Sequence, residues 1–167
     1  MQLAETQIRK YVDRFKGIKH MVGNTPLLAV HFTFKGKILM VGFGAVGQGT
    51  LPLLRRHIDM PKERIKIITA EEWGREIAQE YGIAFAVEPL TPENYLSILD
   101  RELKAGDFLF HASFDVSSLA LIEYCCEKGI LYLDACIEPW AGGHSDTSVP
   151  AARRSNYAYR DAALGLR

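Results

Sequence analysis

The chain has 167 residues, 48% of them apolar, which is enough for one compact domain with a real core. Twenty basic and twenty acidic side chains cancel, so no global field draws in nucleic acid or an anionic membrane. No apolar run approaches the ~20 residues needed to span a bilayer, and the opening MQLAETQIRKYVDRFKG lacks the apolar centre of a signal peptide; the expected location is the cytoplasm.

In chain order, residues 1–36 read as an N-terminal extension. Leu3, Ile8, Tyr11, Val12 and Phe15 could share one face of an amphipathic helix. Gly23-Asn24-Thr25-Pro26 breaks it, and 27–34 alternates loosely, as a strand or hairpin arm would. From Lys37 to the end the pattern is βαβ. Ile38–Val41 is a short apolar strand that opens into Gly42-x-Gly44-x-x-Gly47, and a helix follows over 48–57.

Each of these glycines has its own mechanical task. Gly42 permits the tight turn at the strand end. Gly44, without a side chain, lets a pyrophosphate approach the backbone. Gly47 lets the helix pack on the strand. The helix N-terminus then offers free N–H groups and a partial positive charge. Phe43, Ala45 and Val46 complete the loop and are counted with the glycines as cofactor contacts. The alternative is a glycine turn with no ligand.

The second strand is expected over 65–69, and its β-branched run suits a strand buried on both faces. A helix over 73–81 with Gly82 as its cap follows, then a strand over 84–87. Thr91-Pro92-Glu93-Asn94 opens the next helix, with Thr91 as N-cap, and it runs to about Lys104. A strand over 108–112, a helix over 117–128 capped by Gly129, and a strand over 130–135 complete the alternation. A flexible stretch, 142–148, leads to a last helix over 151–166. Alternating strands and helices of this kind predict a doubly wound parallel α/β sheet, Rossmann-like, with right-handed crossovers.

In such a sheet the strand carboxyl ends carry the site. After the second strand, Glu71 is the acid nearest the position that binds ribose hydroxyls, and it favours NAD over NADP. Arg75, one turn on, could instead accept a 2′-phosphate. Alternatively, Glu71 and Glu72 only suit the helix N-terminus. After the fourth strand, Ser113 and its neighbours' backbone are candidate ribose or nicotinamide contacts. His111 reads as packed, and Ser117 and Ser118 as helix caps. The fifth strand ends in Asp134-Ala135-Cys136-Ile137-Glu138-Pro139-Trp140. Asp134 is taken as a further cofactor contact. A carboxylate at Glu138 can bind an ammonium, and the Trp140 ring face can hold a cation; together they suit an amine or polyamine. The alternative is a loop with a packed Trp and a solvated Glu. The three cysteines include no Cys-x-x-Cys pair, so buried reduced thiols are expected, with no metal site and no disulfide framework.

The segments VGFGAVGQGTLPLLRRHIDM, LTPENYLSILD, FDVSSLALIEYC and LYLDACIEPW, in this order and spacing, resemble bacterial homospermidine synthase, of the saccharopine-dehydrogenase-like superfamily, over residues 37–167. The resemblance implies an NAD-dependent aminobutyl transfer. Hydride leaves putrescine for NAD, an imine forms, a second amine displaces ammonia, and the hydride returns. It implies pyrophosphate at Gly42, Gly44 and Gly47. It puts Glu138 and Trp140, the family's EPW, beside nicotinamide and amine as catalytic residues. Putrescine or a related diamine is the implied partner, and a homodimer the candidate assembly. Members of that family are far longer, so 37–167 corresponds to an incomplete dinucleotide-binding domain with little activity by itself. A stand-alone nucleotide-binding module and another saccharopine-dehydrogenase-like oxidoreductase are the competing readings. MVGNTPLLAVHFTFKG, with Asn24-Thr25-Pro26-Leu27, is similar to the opening of pyridoxal-phosphate-dependent cysteine-synthase-like enzymes; no such chemistry is expected from so short a piece.

Overall fold

The computed structural model describes residues 32–166. The helix and the Gly23–Pro26 break expected near the N-terminus lie outside them. Five of the described strands, β2 (Ile38–Val41), β4 (Ile65–Thr69), β5 (Ala84–Val87), β6 (Phe108–His111) and β7 (Leu131–Asp134), form one parallel sheet in the order β5-β4-β2-β6-β7. Helices α1 (Ala45–His57), α2 (Arg75–Glu80), α3 (Tyr95–Glu102) and α4 (Ser118–Lys128) make the crossovers, and α5 (Asn156–Leu164) follows β7. The chain runs outward from β2 through β4 to β5, then returns to the other side of β2 as β6. The order therefore reverses between β2 and β6, and a doubly wound sheet opens its ligand crevice there.

Strand β2 is buried at all four positions, which is why it reads as an uninterrupted apolar run. Register turns the period-two alternation into continuous rows. Ile65, Ile38, Phe108 and Leu131 lie side by side on one face, and Phe85, Ile67, Met40, Phe110 and Leu133 form the next row. Leu51 of α1 and Ala78 of α2 pack on this face. The opposite face packs Leu39, Val41 and Leu109 against Ile98 and Leu99 of α3 and Leu121 and Tyr124 of α4. Each fully buried aliphatic side chain contributes about 1.5–3 kcal/mol of transfer free energy. At β7 the first face runs bare: Leu131 and Leu133 are 53% and 54% exposed.

The helix ends follow local chemistry. Ser117 caps α4, its Oγ accepting from the Ala120 N–H at 3.3 Å, and Gly129 closes it at φ +67°. After α2, Gly82 takes φ +65°, and its N–H donates to the Gln79 carbonyl at 2.9 Å while that of Ile83 reaches Ala78.

Several expectations shift. Helix α1 begins at Ala45, so Gly47 sits in its first turn. The turn before α3 is longer than expected: the Thr91 N–H donates to Asn94 Oδ1 at 2.8 Å and Asn94 is the N-cap. The expected last helix is two pieces, a 3-10 turn over Ala151–Arg154 and then α5, because the Ser155 hydroxyl caps a new start by accepting from the Ala158 N–H at 3.3 Å. The short β1 (Phe32–Thr33) pairs in parallel with β3 (Ile58–Asp59), where a hairpin would be antiparallel. Phe34 meets Phe108 edge to face at 6.4 Å. Residues just before Lys37 thus pack on the same body as the sheet.

Candidate functional site

A cleft of about 400 Å³ opens over the carboxyl ends of the strands, floored by Val41, Gly42, Phe43 and Gly44. The three glycines of the loop are glycines for three different reasons. Gly42 sits at φ +87°, and a Cβ there would lie 2.6 Å from the Ser113 backbone nitrogen and 2.7 Å from the Ala112 carbonyl. It therefore lets the ends of β2 and β6 close on one another. At Gly47 a Cβ would approach the Gly42 carbonyl oxygen at 3.0 Å and the Phe43 ring at 3.1 Å, so this glycine seats the helix on the turn. Gly44 differs: nothing lies within 4 Å of a Cβ placed on it. Its φ of −74° suits any residue, so no protein atom and no backbone strain accounts for a glycine there.

Gly44 is also the N-cap of α1 and offers no side chain to the first turn, which carries no acid either. The first N–H groups of the helix, at Ala45, Val46 and Gly47, have no intrahelical acceptor by geometry. Gly44, Ala45 and Val46 are exposed. Such a helix start has the chemistry to take an anion on backbone N–H groups alone. One side chain braces it: Gln48 Nε2 donates to the Phe43 carbonyl at 2.9 Å. The sequence reading missed this contact, although a polar residue one position past the glycines on an otherwise apolar helix start is a visible signal.

On the β4 side, Glu71 lines the cleft with no ion pair or hydrogen bond among the described residues. Arg75 does not line it. Its guanidinium is bound through Nε and Nη2 to Glu72 and lies 4.7 Å from the centre of the Phe85 ring. The hydrogen bonds it donates to Glu72 raise its own pKa above the ordinary value and lower that of Glu72. Glu88, also in the wall, is held bidentately by Arg101 at 2.5 and 3.1 Å. Among the described residues, no lysine or arginine lines the cleft.

On the β6 side, Ser113 lines the cleft and its hydroxyl donates to the Phe114 carbonyl at 3.1 Å. Asp115 lines it too, at φ +60°, a conformation Asp tolerates better than most residues. His111 is 1% exposed and packed, as the sequence suggested; its Nδ1 is 3.0 Å from the Tyr132 hydroxyl. Burial pulls its pKa down to about 4 against the opposing charge of Asp134, so the ring is neutral at physiological pH.

The β7 segment departs from expectation. Asp134 does not line the cleft. Period-two alternation sets it beside Tyr132, whose hydroxyl donates to it at 3.2 Å, and β7 is one strand beyond the crevice. Asp134 opens instead on a separate surface hollow with Cys136, Asn156 and Arg160. Nor do Glu138 and Trp140 line the cleft, which reaches their segment only at Ala141. Trp140 packs against Tyr95 at 5.3 Å, ring to ring, and against the α3/α4 core. Ser118 clamps Glu138 by its backbone: the Ser118 N–H donates to the Glu138 carbonyl at 2.8 Å, and the Glu138 N–H to Ser118 Oγ at 2.9 Å. The Glu138 carboxylate, 16% exposed, lies 3.5 Å from His144 Nε2. The cysteines are all free thiols, but only Cys125 is buried; Cys126 and Cys136 are exposed.

The model of the saccharopine dehydrogenase NADP binding domain matches residues 38–167. Homospermidine synthase from Mesorhizobium japonicum is 37% identical over 138 residues, covering 81% of this chain and 28% of the relative. The enzyme of the same name from Blastochloris viridis is 37% identical over 141 residues, covering 83% and 30%. The crystal structure of the homospermidine synthase of Legionella pneumophila in complex with NAD superposes with a TM-score of 0.72 at 38% identity, covering 81% of this chain and 28% of that one. The chain thus spans under a third of the length of the relatives it matches.

Proposed function

The chain belongs to the saccharopine dehydrogenase NADP-binding domain family, and from that premise we propose that its cleft binds NAD as the nucleotide-binding part of a homospermidine synthase. The observation that carries this reading is Gly44: a helix start without a side-chain cap, in a concave site, with open space where a Cβ would stand. Backbone N–H groups of Ala45, Val46 and Gly47 would take the pyrophosphate, and Glu71 the adenosine ribose hydroxyls. The Ser113 backbone would meet the nicotinamide half. NAD bound there would supply reversible hydride transfer at an amine-bearing carbon. The chain's own contribution is to hold, orient and shield.

NAD is favoured over NADP because, among the described residues, a 2′-phosphate would meet Glu71 and no cation, Arg75 being committed to Glu72 and Phe85. On the amine side, Glu138 would act in the complete enzyme, whereas Trp140, packed on Tyr95, would hold the segment that carries it. Ser118 fixes the direction of the Glu138 backbone, and Ala141 brings the same segment to the cleft edge. Aminobutyl transfer between diamines needs walls on both sides of the nicotinamide, so the 167-residue chain is expected to make little or no homospermidine alone.

Calorimetric titration tests the reading. The parent should bind NAD at least tenfold more tightly than NADP (about 1.4 kcal/mol), Glu71→Ala should narrow the gap, and Gly44→Val should lose NAD binding. Equal binding by parent and Gly44→Val would sink it. In a full-length enzyme carrying this segment, Glu138→Gln should weaken diamine use while leaving NAD affinity in place; loss of NAD affinity instead would remove the amine-side assignment.

A further inference from the structure

Two large aromatic side chains stand almost fully in solvent, Trp73 at 76% and Phe114 at 74% exposure, and both line the same cleft. Tryptophan is on average a heavily buried residue, and a concave wall of exposed rings is the usual surface for a flat ligand. The two rings are carried by different strands. Trp73 follows β4 and Phe114 follows β6, the strands that flank β2 on either side. Two strand spacings, about 10 Å, therefore separate their origins, and the glycine loop lies between them.

Both rings sit on turns packed against that loop. Gly74, next to Trp73, adopts φ +83°, and a Cβ on it would fall 2.6 Å from the Phe43 ring and 2.7 Å from Gln48 Nε2. The turn bearing Phe114 is pressed on Gly42 through Ala112 and Ser113, and Asp115 at φ +60° reverses the chain just after it. A ligand anchored at Gly44 would thus have one exposed ring presented on each side of its phosphates.

We propose that Trp73 and Phe114 are paired ring platforms for the two heterocycles of one dinucleotide, Trp73 against the adenine and Phe114 against the nicotinamide. The assignment rests on the dinucleotide reading of the cleft and adds to it: affinity comes from ring contacts at both ends, not from the phosphate cradle alone. Stacking of a base on an aromatic side chain is worth about a tenfold change in affinity or more, and it operates on each half of the ligand separately.

Calorimetry with NAD, ADP and nicotinamide mononucleotide on the parent, Trp73→Ala and Phe114→Ala tests this. Trp73→Ala should weaken NAD and ADP alike, by about tenfold. Phe114→Ala should weaken NAD and the mononucleotide by about the same factor and leave ADP within about twofold. Trp73→Phe should restore most of the NAD affinity while abolishing the ligand-dependent quenching of tryptophan emission, since Trp140 lies outside the cleft. That quenching also reads the parent directly should Trp73→Ala fail to fold. A parent that binds NAD while Trp73→Ala binds it equally well would overturn the platforms and spare the cleft. A parent that binds no NAD would overturn both. Equal weakening of ADP by both variants would refute the division of the ligand between the two rings.

Discussion

At the amino ends of the strands the buried acids are answered. Glu102, its side chain 6% exposed, accepts from Lys37 at 2.6 Å, Lys66 at 2.5 Å and Arg101 at 3.1 Å, and Asp107 takes the backbone N–H groups of Lys37 and Lys104 at 2.8 and 3.0 Å. At the carboxyl ends of the same strands the arrangement is the reverse: an uncapped helix start, Glu71 without a partner among the described residues, and two exposed rings. The same five strands carry both ends, so their composition does not make the difference. It lies in which loops bring partners for their own polar groups and which leave them available. One end spends its polar groups on holding the molecule together, and the other keeps them for a ligand.

The contrast is broken most severely at Gly42, the loop glycine that lets the ends of β2 and β6 close on one another. Gly42→Ala adds strain at φ +87° and a backbone overlap with Ser113, and should destabilise by about 3 kcal/mol, read as a lower urea midpoint at unchanged slope. Next comes Glu102→Ala, which leaves Lys37 and Lys66 facing each other without a carboxylate. Both lysines are about a quarter exposed, which moderates the cost of a broken buried pair to about 2 kcal/mol. Gly44→Ala should be the smallest effect on stability, within about 0.5 kcal/mol of the parent, since its φ is ordinary and its surroundings open. A Gly44→Ala variant as unstable as Gly42→Ala would erase the distinction between the two glycines.

The two ends should also separate by pH. His111, near the cleft end, has its pKa lowered from 6.5 to about 4, chiefly by burial. A lowered folded pKa means that its stabilising share is complete above 6.5 and is lost as pH falls through about 4. For Glu102, burial raises the carboxyl pKa, but hydrogen bonds from Lys37, Lys66 and Arg101 outweigh it and bring the value from 4.5 to about 2. Its share is complete above 4.5 and is lost as pH falls through about 2. Unfolding free energy measured from pH 8 downward should fall in two stages. His111→Gln should remove the upper stage and Glu102→Gln the lower. A single stage that neither variant moves would mean that other groups govern acid unfolding.

The sheet was legible in the sequence nearly to the residue, because strands buried on both faces are apolar runs with polar ends. The span 65–69 and the span 84–87 were read as they stand, and so were the Ser117 and Gly129 caps of α4. The glycine loop was legible for the same local reason. What the sequence hid was tertiary. Glu102 meets Lys37 across 65 residues and Lys66 across 36, and no window of sequence contains that cluster. Arg75 reads as available for a phosphate, but it is held by Glu72 three residues before it and, from the neighbouring strand β5, by the Phe85 ring. Asp134, Glu138 and Trp140 were grouped with the cleft because strand ends converge there in general. The strand order that puts β7 at the edge, one place too far out, is not written in the β7 segment itself. Trp73 and Phe114 were passed over because nothing local marks an aromatic residue as exposed.

The bare end of the two apolar rows, at Leu131 and Leu133, has a practical side. Among the described strands β7 has a neighbour on one side only, so its outer backbone groups and its half-exposed leucines are presented together, the combination that favours edge-to-edge association. In concentrated solution this corner of the molecule is therefore the expected starting point of association. Leu133→Lys should raise the concentration at which light scattering first appears while leaving the urea midpoint where it was, which would make it a convenient background for the ligand titrations above.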